Sequence, residues 1–326
     1  MDDGSTDGTR EILRELANRE PRIKAIERGH AGVAAAANAG AAAAGGEFLA
    51  RMDADDISHP ERLAEQVAFL DAATNRDIGV VGCLVEFGGD RAVGEGYARH
   101  VDWVNSLVTP EEIALNRFVE SPLANPSVMF RRDLIERHGG YRDGDFPEDY
   151  ELWLRWLDAG VRMAKVPRVL LTWNDSPTRF TRTDTRYDPE AFFRVKATWI
   201  AKQVAELVRV WPENARTSQT LTRSATREIW VWGAGRPARK RAAHLTAHGV
   251  RIAGYIDVDA KKTGRGIGGT GLPVIAPEAL PPPDGFEGGG KVFVLGYVAK
   301  RGVREDIRAR LCARGYIEGR DFLMCA

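Results

Sequence analysis

Three aspartates close together are the first residues of this sequence whose types and spacing suggest chemistry. Asp53, Asp55 and Asp56 stand in ARMDADDISHPERL, after a short apolar run and before a helical pattern. Three carboxylates this close repel one another, and a hard divalent cation with oxygen ligands relieves that repulsion. A bound diphosphate would complete the coordination shell of the cation. The segment therefore predicts either a metal site or a solvated acidic turn that caps the next helix.

A second acidic pair, Glu148 and Asp149, follows Pro147 at the start of EDYELWLRWLDAG. Carboxylates at the start of a helix are stabilised by free backbone N–H groups, so helix capping alone accounts for the pair. The functional alternative is a general base that faces an acceptor hydroxyl. Both interpretations stay open on the residues alone.

The chain opens with MDDGSTDGTREILREL, in which Asp, Gly, Ser and Thr are typical of a turn that caps a helix. Ile12, Leu13 and Leu16 then have helical spacing. A turn of this kind normally follows a strand, and none precedes it in this sequence.

Helical and extended patterns alternate around these segments. Apolar periodicity predicts helices over 9–18, 32–44, 109–118, 148–160 and 189–209, and strands over 23–27, 47–53, 78–87, 126–132 and 161–173. In SHPERLAEQVAFL, Ser58 is the predicted N-cap, with Pro60 in the first turn and Glu61 closing a capping box. A polar segment over 211–227 is the predicted linker.

After this linker the alternation restarts, with strands over 227–233, 251–257 and 291–298 and helices over 237–248 and 304–315. Strands that alternate with helices imply a mainly parallel sheet with right-handed crossovers. The predicted domains are therefore 1–210 and 228–326, both of the α/β class.

Composition excludes several classes of protein. The 326 residues contain 46 basic and 46 acidic side chains, so nothing draws the whole chain to nucleic acid or an anionic membrane. Three scattered cysteines fit a reducing compartment. No signal peptide and no apolar run of about 20 residues is present, which predicts a cytoplasmic protein without a transmembrane segment. Peripheral membrane association and homo-oligomer formation stay open.

Charge is nevertheless uneven along the chain. Residues 1–227 carry 30 basic and 36 acidic side chains, whereas 228–326 carry 16 and 10. An acidic part suits a cation and a basic part suits phosphate, although an uneven distribution of solvated surface charge accounts for the numbers equally well.

Five segments, taken in order, resemble one enzyme family. DDGSTDGT, GHAGVAAAANAG, ARMDADD, SVMFRRDLIERHGGY and EDYELWLR are similar in order and spacing to the family 2 glycosyltransferases, inverting enzymes of the GT-A fold. The resemblance covers about residues 1–200. It implies a mixed sheet flanked by helices, a nucleotide-diphosphate sugar as donor, and Mg²⁺ or Mn²⁺ as cofactor.

The resemblance also implies roles for single residues. Asp3, with Asp2 beside it, corresponds to the acidic loop that contacts the base and ribose of the donor. Gly32 and Asn38 correspond to the small-residue helix start that lines the nucleotide pocket. Arg182, together with Arg179 in TRFTR, is assigned to the diphosphate; a solvated basic face is the alternative.

The reacting groups follow from the same comparison. Asp53 and Asp55 correspond to the DXD pair that binds donor and metal, with Asp55 as the more direct ligand. Asp149 corresponds to the catalytic base, and Glu148 is its neighbour in the ED motif. Asn125 stands where related sequences often have His, and because Asn carries no positive charge a phosphate role there is weakened.

The resemblance begins inside the family pattern rather than at its start. The family opens with a strand, a helix and a second strand that leads into the acidic loop, and this sequence begins at that loop. We therefore expect a gap in the sheet beside the loop, and weak or no activity from the chain as it stands.

A further motif, VWGAGRPARKRAAHL, lies in the second domain. Gly233 and Gly235 occupy a strand–helix turn, Pro237 begins the helix, and Asp257 ends the next strand, as in the first βαβ unit of dinucleotide-binding and sugar-nucleotide-modifying proteins. Ala238 replaces the third glycine of the full fingerprint. The motif predicts either a second nucleotide site or a Rossmann-like module that only scaffolds the chain.

Three functions remain in competition. The first is metal-dependent, inverting transfer of a sugar to a saccharide or lipid-linked acceptor, in cell-envelope polysaccharide or glycolipid synthesis. The second is non-catalytic binding of nucleotide sugars or scaffolding. The third is modification of a sugar nucleotide by the C-terminal domain.

Overall fold

The computed structural model describes residues 1–91, 94–175, 180–208, 227–267, 270–283, 292–300 and 302–326. Contacts divide the chain into two compact units, Met1–Pro110 with Leu123–Asp188 and Glu111–Pro122 with Pro189–Ala326. Most of the predicted linker, 211–226, lies outside the described residues. Among the described helices, none combines the length and apolar character needed to cross a bilayer.

The first unit alternates short strands and helices. Its elements are β1 (Asp2–Asp3), α1 (Thr9–Arg19), β2 (Glu27–Arg28), α2 (Val33–Ala43), β3 (Phe48–Ala50), β4 (Ile57–Ser58), α3 (Arg62–Asp71), β5 (Ile78–Gly88), α4 (Glu95–Asn105), the start of α5 (Pro110–Asn116), β6 (Met129–Arg131), α6 (Asp133–His138), α7 (Glu148–Asp158), β7 (Arg162–Asn174) and α8 (Phe180–Thr183).

A mixed five-stranded sheet in the order β3-β6-β5-β7-β4 organises this unit. The two long strands β5 and β7 run parallel, whereas β6 pairs antiparallel with both β5 and β3, and β4 pairs antiparallel with β7. Val81, Cys83 and Val85 of β5 are buried among apolar side chains of β7 and α4. The predicted fold class, a mixed α/β sheet flanked by helices, is confirmed.

The opening loop belongs to a separate small sheet. β1 pairs parallel with β2, with Asp2 opposite Glu27 and Asp3 opposite Arg28. In the described residues, no hydrogen-bonded strand joins this pair to β3, the edge strand of the larger sheet.

The predicted start of α3 was wrong. Ser58 does not cap the helix, because its backbone pairs with Leu171 in β7 and so makes it part of β4. The helix begins at Arg62, after Glu61, and no side chain caps it. The sequence also missed α4, whose buried face consists of Ala98, Val101 and Val104.

The second unit contains an all-parallel sheet. Its elements are the rest of α5, α9 (Pro189–Leu207), β8 (Glu228–Trp232), α10 (Arg236–Ala247), β9 (Ile252–Ile256), β10 (Val274–Ile275), β11 (Val292–Gly296), α11 (Val303–Ala313) and β12 (Phe322–Met324). Every pair in the order β10-β9-β8-β11-β12 is parallel, as the predicted Rossmann-like alternation requires.

The long helix α9 groups with this second unit, whereas the predicted boundary at 210 placed it in the first domain. Its buried residue Phe193 lies under the Arg241 guanidinium of α10, 4.2 Å from the ring centroid. Glu190 of the same helix lies within ion-pair distance of Lys240 and Arg241. These contacts hold α9 against α10.

Candidate functional site

The opening loop and the start of α2 are held together by Asp3. Its carboxylate accepts hydrogen bonds from the backbone N–H groups of Ala31 (3.1 Å) and Gly32 (2.8 Å). Although burial opposes ionisation, these bonds lower the pKa of Asp3. Gly4, at φ 91°, lets the loop approach the segment that follows β2 closely, since a Cβ there would lie 2.7 Å from the His30 backbone nitrogen. Asp3 and Gly32, predicted to serve one pocket, are therefore brought together.

Asp2 is buried and forms hydrogen bonds within and beside its own loop. It is 2% exposed, and its carboxylate accepts hydrogen bonds from the Ser5 backbone (3.1 Å) and Arg10 Nε (2.7 Å). The bonds with Ser5 and Arg10 hold the pKa of Asp2 well below its usual range. Asp2 thus orders the loop that carries Asp3, and its predicted contact with a donor stays a prediction.

Asn38 fastens α2 to the loop after α6. Its Nδ2 donates to the Tyr141 carbonyl at 2.8 Å, and its Oδ1 accepts from the Tyr141 N–H at 2.9 Å. The Tyr141 hydroxyl in turn donates to Asn125 Oδ1 at 3.0 Å. Asn125, which the sequence compared with a family His, is thus a buried hydrogen-bond partner of Tyr141.

Replacing Asn38 by Leu is expected to reduce the free energy of unfolding by about 2 kcal/mol, because the Tyr141 N–H and carbonyl lose their partners. Urea denaturation of the full chain measures this loss. Asn18→Leu, on an exposed position of α1, is the matched control and should change stability by less than about 0.5 kcal/mol. Equal effects of the two substitutions would contradict the proposed fastening role.

The turn after β3 carries Asp53 and Asp55, the predicted DXD pair. Arg51 Nη2 forms an ion pair with Asp53 Oδ1 at 2.7 Å. Asn174 Nδ2 donates to the Asp55 backbone oxygen at 2.6 Å, whereas the Asp55 side chain is exposed. Arg62, only 2% exposed, donates to the Arg51 carbonyl at 3.1 Å and so fixes the base of the turn.

Within the described ranges, no cluster of three or more His, Cys, Asp or Glu side chains could hold a metal by itself. The residues at this turn nevertheless fit Mg²⁺, which takes one or two protein carboxylates and completes its shell with substrate phosphates and water. Asp55 offers an exposed carboxylate, and Asp53 is balanced by Arg51. Asp55 therefore stays the residue predicted to contact a metal directly.

The ED pair begins α7 in a buried acidic environment. Glu148 is 5% exposed, and its Oε2 accepts a 2.6 Å hydrogen bond from the Tyr187 hydroxyl. Burial and the neighbouring Glu148 carboxylate, with a further contribution from Asp53, raise the pKa of Asp149 to about 7. The structure thus brings the ED pair and Asp53 of the DXD motif into electrostatic contact. A carboxyl group with a pKa near neutrality is suited to exchanging a proton.

A buried ion pair on the same helix supports the Tyr141 loop. Arg155 forms a salt bridge with Glu151 at 3.0 Å and donates to the carbonyls of His138, Gly139 (3.0 Å) and Gly140 (2.6 Å). Arg155 is 6% exposed and Glu151 is 4% exposed. The pair therefore holds the loop that precedes Tyr141.

Sequence reasoning did not assign roles to Arg51, Tyr141, Glu151, Arg155 and Tyr187. The four-residue spacing of Glu151 and Arg155 on a predicted helix is a signal that could have identified their ion pair. Tyr187 lies in the turn after α8 and reaches Glu148 only through the tertiary fold, so no local pattern indicates it.

Arg179 and Arg182 are the two residues predicted to contact the diphosphate. Arg179 lies outside the described residues. Arg182 forms an ion pair with Asp175 at 2.6 Å, so its charge is already partly balanced. Its predicted phosphate contact stays a prediction.

The residues of the predicted second site lie close together within the second unit. Asp257, at the end of β9, accepts a 3.0 Å hydrogen bond from the Ala234 N–H, between Gly233 and Gly235. Lys262 Nζ donates to the same carboxylate at 3.0 Å. The glycine turn and Asp257 are therefore in contact, and a nucleotide site there stays a prediction.

Comparison with known proteins finds a similarity in the first part of the chain. Residues 1–139 match the family model described as "Glycosyl transferase family 2". EpsE of Bacillus subtilis (strain 168) is 31% identical over 193 residues, which are 57% of this chain and 65% of that protein. The O-antigen biosynthesis glycosyltransferase WbnJ of Escherichia coli is 32% identical over 130 residues, 39% of this chain and 46% of that one.

The chain thus covers less than two thirds of the length of these two relatives. A solved structure, S. aureus TarS 1-349 in complex with UDP-GlcNAc, aligns with a TM-score of 0.45 at 20% identity, over 66% of this chain and 58% of that one. The family model spans the acidic loop, the small-residue helix and the DXD turn described above. Residues 1–139 of the chain are thus similar to glycosyl transferase family 2.

Proposed function

We propose that this chain transfers a sugar, with inversion, from a nucleotide-diphosphate sugar to an acceptor hydroxyl on a saccharide or lipid-linked molecule. The match of residues 1–139 to the glycosyl transferase family 2 model supports the class of reaction. The name of WbnJ, an O-antigen biosynthesis glycosyltransferase, supports a role in polysaccharide synthesis. The fold does not determine the donor sugar, its base or the acceptor, which depend on the shape of the pocket and on its loops.

The observation that carries this proposal is the environment of Asp149. Its pKa of about 7 makes the carboxylate available near neutral pH while keeping it basic enough to accept a proton. Solvation by water would have held this pKa far lower, so the buried acidic environment has a cost in stability that a catalytic role would justify.

The proposed reaction is a single displacement. The acceptor oxygen forms a bond to the anomeric carbon as the bond to the donor diphosphate breaks on the opposite face, which inverts the configuration. The acceptor proton passes to the Asp149 carboxylate. Glu148 raises the proton affinity of Asp149, and Tyr187 holds Glu148 in place.

The donor diphosphate would lie near the DXD turn. Asp55, with Asp53 beside it, would hold Mg²⁺ or Mn²⁺, which when bound neutralises charge on the leaving diphosphate. Arg51 keeps Asp53 oriented through their ion pair. The order imposed by Asp3 on the start of α2 provides a preformed wall for the nucleotide.

Donor binding provides a test that does not depend on turnover. Calorimetry of the full chain with UDP-, GDP- and dTDP-sugars, with and without Mn²⁺, should reveal one donor whose affinity depends on the metal. Asp55→Asn is expected to weaken this metal-dependent binding by about 10–100-fold, because the exposed carboxylate contributes a ligand.

Asp133→Asn, on the exposed side of α6, is the matched control for loss of one surface carboxylate and should leave donor binding unchanged. If no nucleotide sugar binds with Mn²⁺, or if Asp55→Asn binds like the unsubstituted chain, the metal-dependent mechanism is wrong. Binding that survives without any turnover would instead favour the non-catalytic alternative.

A further inference from the structure

The parallel sheet of the second unit has a topological switch point. From β8 the chain passes through α10 to β9 and then β10 on one side, whereas β11 and β12 lie on the other side of β8. In open α/β sheets, ligands bind at the carboxyl ends of the strands where the winding direction changes. A cavity of about 920 Å³ lies there, lined by residues that follow β8, β9 and β11.

The turn between β8 and α10 packs closely against neighbouring side chains. Gly233 has φ 121°, and a Cβ there would lie 3.0 Å from both Ala238 Cβ and Val298 Cγ2. Ala238, in place of the third glycine of the full motif, is therefore accommodated because Gly233 has no side chain. The helix start is packed directly on the sheet.

Gly235 has a different environment. It lines the cavity, has ordinary extended backbone angles, and an added Cβ would have only Pro237 Cδ within 4 Å, at 3.8 Å. Neither backbone strain nor packing in this unit demands glycine at 235. A ligand that lies against the bare backbone would demand it, as a diphosphate does in the second glycine position of such turns.

The cavity lining carries a small excess of positive charge. Four basic side chains line it, Arg241, Lys262, Lys300 and Arg310, against three acidic ones, Asp257, Glu278 and Asp306. The segment 228–326 as a whole is also basic. Asp257 accepts from the Ala234 and Asp259 N–H groups and from Lys262. Burial opposes ionisation, but these bonds lower the pKa of Asp257, so it remains a carboxylate that holds Lys262 at the cavity.

We propose that this cavity binds a nucleoside diphosphate group, with the diphosphate over the backbone at Gly235 and the first turn of α10. N–H groups at a helix start, which have no acceptor within the helix, favour phosphate oxygens. Apolar walls that include Val298, Val303 and Ile307 leave room for the nucleoside, and the volume is that of a small-molecule pocket. This site does not depend on the proposed glycosyl transfer in the first unit.

Calorimetry of the full chain in chelator-containing buffer with ADP, UDP, GDP and NAD⁺ tests the proposal. At least one probe should bind, and Gly235→Val should weaken that binding by about tenfold or more with an unchanged melting temperature. The same binding should persist in Asp55→Asn, which separates it from the donor site. NAD⁺ as the tightest probe would identify a dinucleotide, and a mononucleotide would identify a free or sugar-linked diphosphate.

A charge variant provides an independent measurement. Lys262→Ala is expected to weaken binding several-fold and to reduce its dependence on salt, whereas Lys261→Ala, an adjacent exposed lysine that does not line the cavity, should bind normally. The proposal is overturned if no probe binds the unsubstituted chain. Full binding by Gly235→Val also overturns it, as does full binding by Lys262→Ala should the Gly235 variant fail to fold.

Discussion

Asp149→Asn is expected to lower the rate of sugar transfer or donor hydrolysis by about 10²–10⁴-fold, because an amide cannot accept the acceptor proton. The substitution keeps the size of the side chain, so donor binding should change little. Release of nucleoside diphosphate by the full chain measures the rate. Asp158→Asn, at the opposite end of the same helix, is the matched control and should retain full activity.

The pH dependence of the unsubstituted chain follows from the same group. Asp149 acts as a base only when ionised, so the rate should rise with pH and reach half its maximum near pH 7. Because the Glu148 carboxylate contributes to the raised pKa, Glu148→Gln should move this midpoint to lower pH. A rate that is flat between pH 5 and 9, with Asp149→Asn fully active, would exclude Asp149 as the base.

The contribution of Asp149 to the free energy of unfolding should fall as pH rises, whereas the rate of transfer should rise. The folded pKa of Asp149, about 7, lies above its ordinary value of 3.8, so folding favours the neutral carboxyl group. Its contribution to stability is full below pH 3.8 and is lost as pH rises through 7. Asp149→Asn should therefore raise the free energy of unfolding by about 1–3 kcal/mol at pH 8, with a gain that shrinks toward pH 4.

Arg155→Met is expected to reduce the free energy of unfolding by about 3–5 kcal/mol, which for a protein of ordinary stability is a large share of the total. The substitution leaves the buried Glu151 carboxylate with only Arg142, a mostly exposed partner at 3.3 Å, and removes the donor to the carbonyls of Gly139 and Gly140. Thermal and urea unfolding of the full chain measure the loss. Tyr141, next along the same loop, lies near Asp149, so activity should fall as well.

An exposed pair with the same spacing provides the control. Arg137 and Asp133 on α6 are also four residues apart, but both side chains are more than half exposed. Arg137→Met should therefore cost less than about 1 kcal/mol. In the double variant Glu151→Leu with Arg155→Met, part of the stability should return, because no carboxylate remains buried with only a mostly exposed partner. Equal costs for the buried and exposed pairs would contradict this account of α7.

Much of the fold was predictable because its signals are local. The long strands β5 and β7 and the helix α7 were predicted within a few residues, since each is a continuous apolar or amphipathic pattern. The start of α3 was mispredicted because the backbone of Ser58 pairs with β7, a contact distant in sequence that overrides a local capping pattern. The helix α4 was missed for a related reason: its buried face is defined by packing on β5 rather than by strong capping residues.

In the candidate site, too, the sequence identified residues but not the contacts between distant segments. Asp3, Asp55, Glu148 and Asp149 were identifiable as residues of interest, because carboxylates clustered at strand ends and helix starts repel one another unless a cation or free N–H groups stabilise them. Their surroundings were not identifiable. The sequence places Arg51 two residues before Asp53, but the ion pair between them depends on how the turn bends.

The sequence by itself determined which groups can do chemistry and the order in which the elements present them, because residue type and local periodicity are written along the chain. The tertiary structure alone decided that Asp149 has a pKa near neutrality, that Tyr187 holds Glu148, and that Asn38 ties α2 to Tyr141. It also decided that Gly235 faces a cavity rather than a neighbouring side chain. Each of these depends on burial or on contacts between distant segments, and only the folded chain creates them.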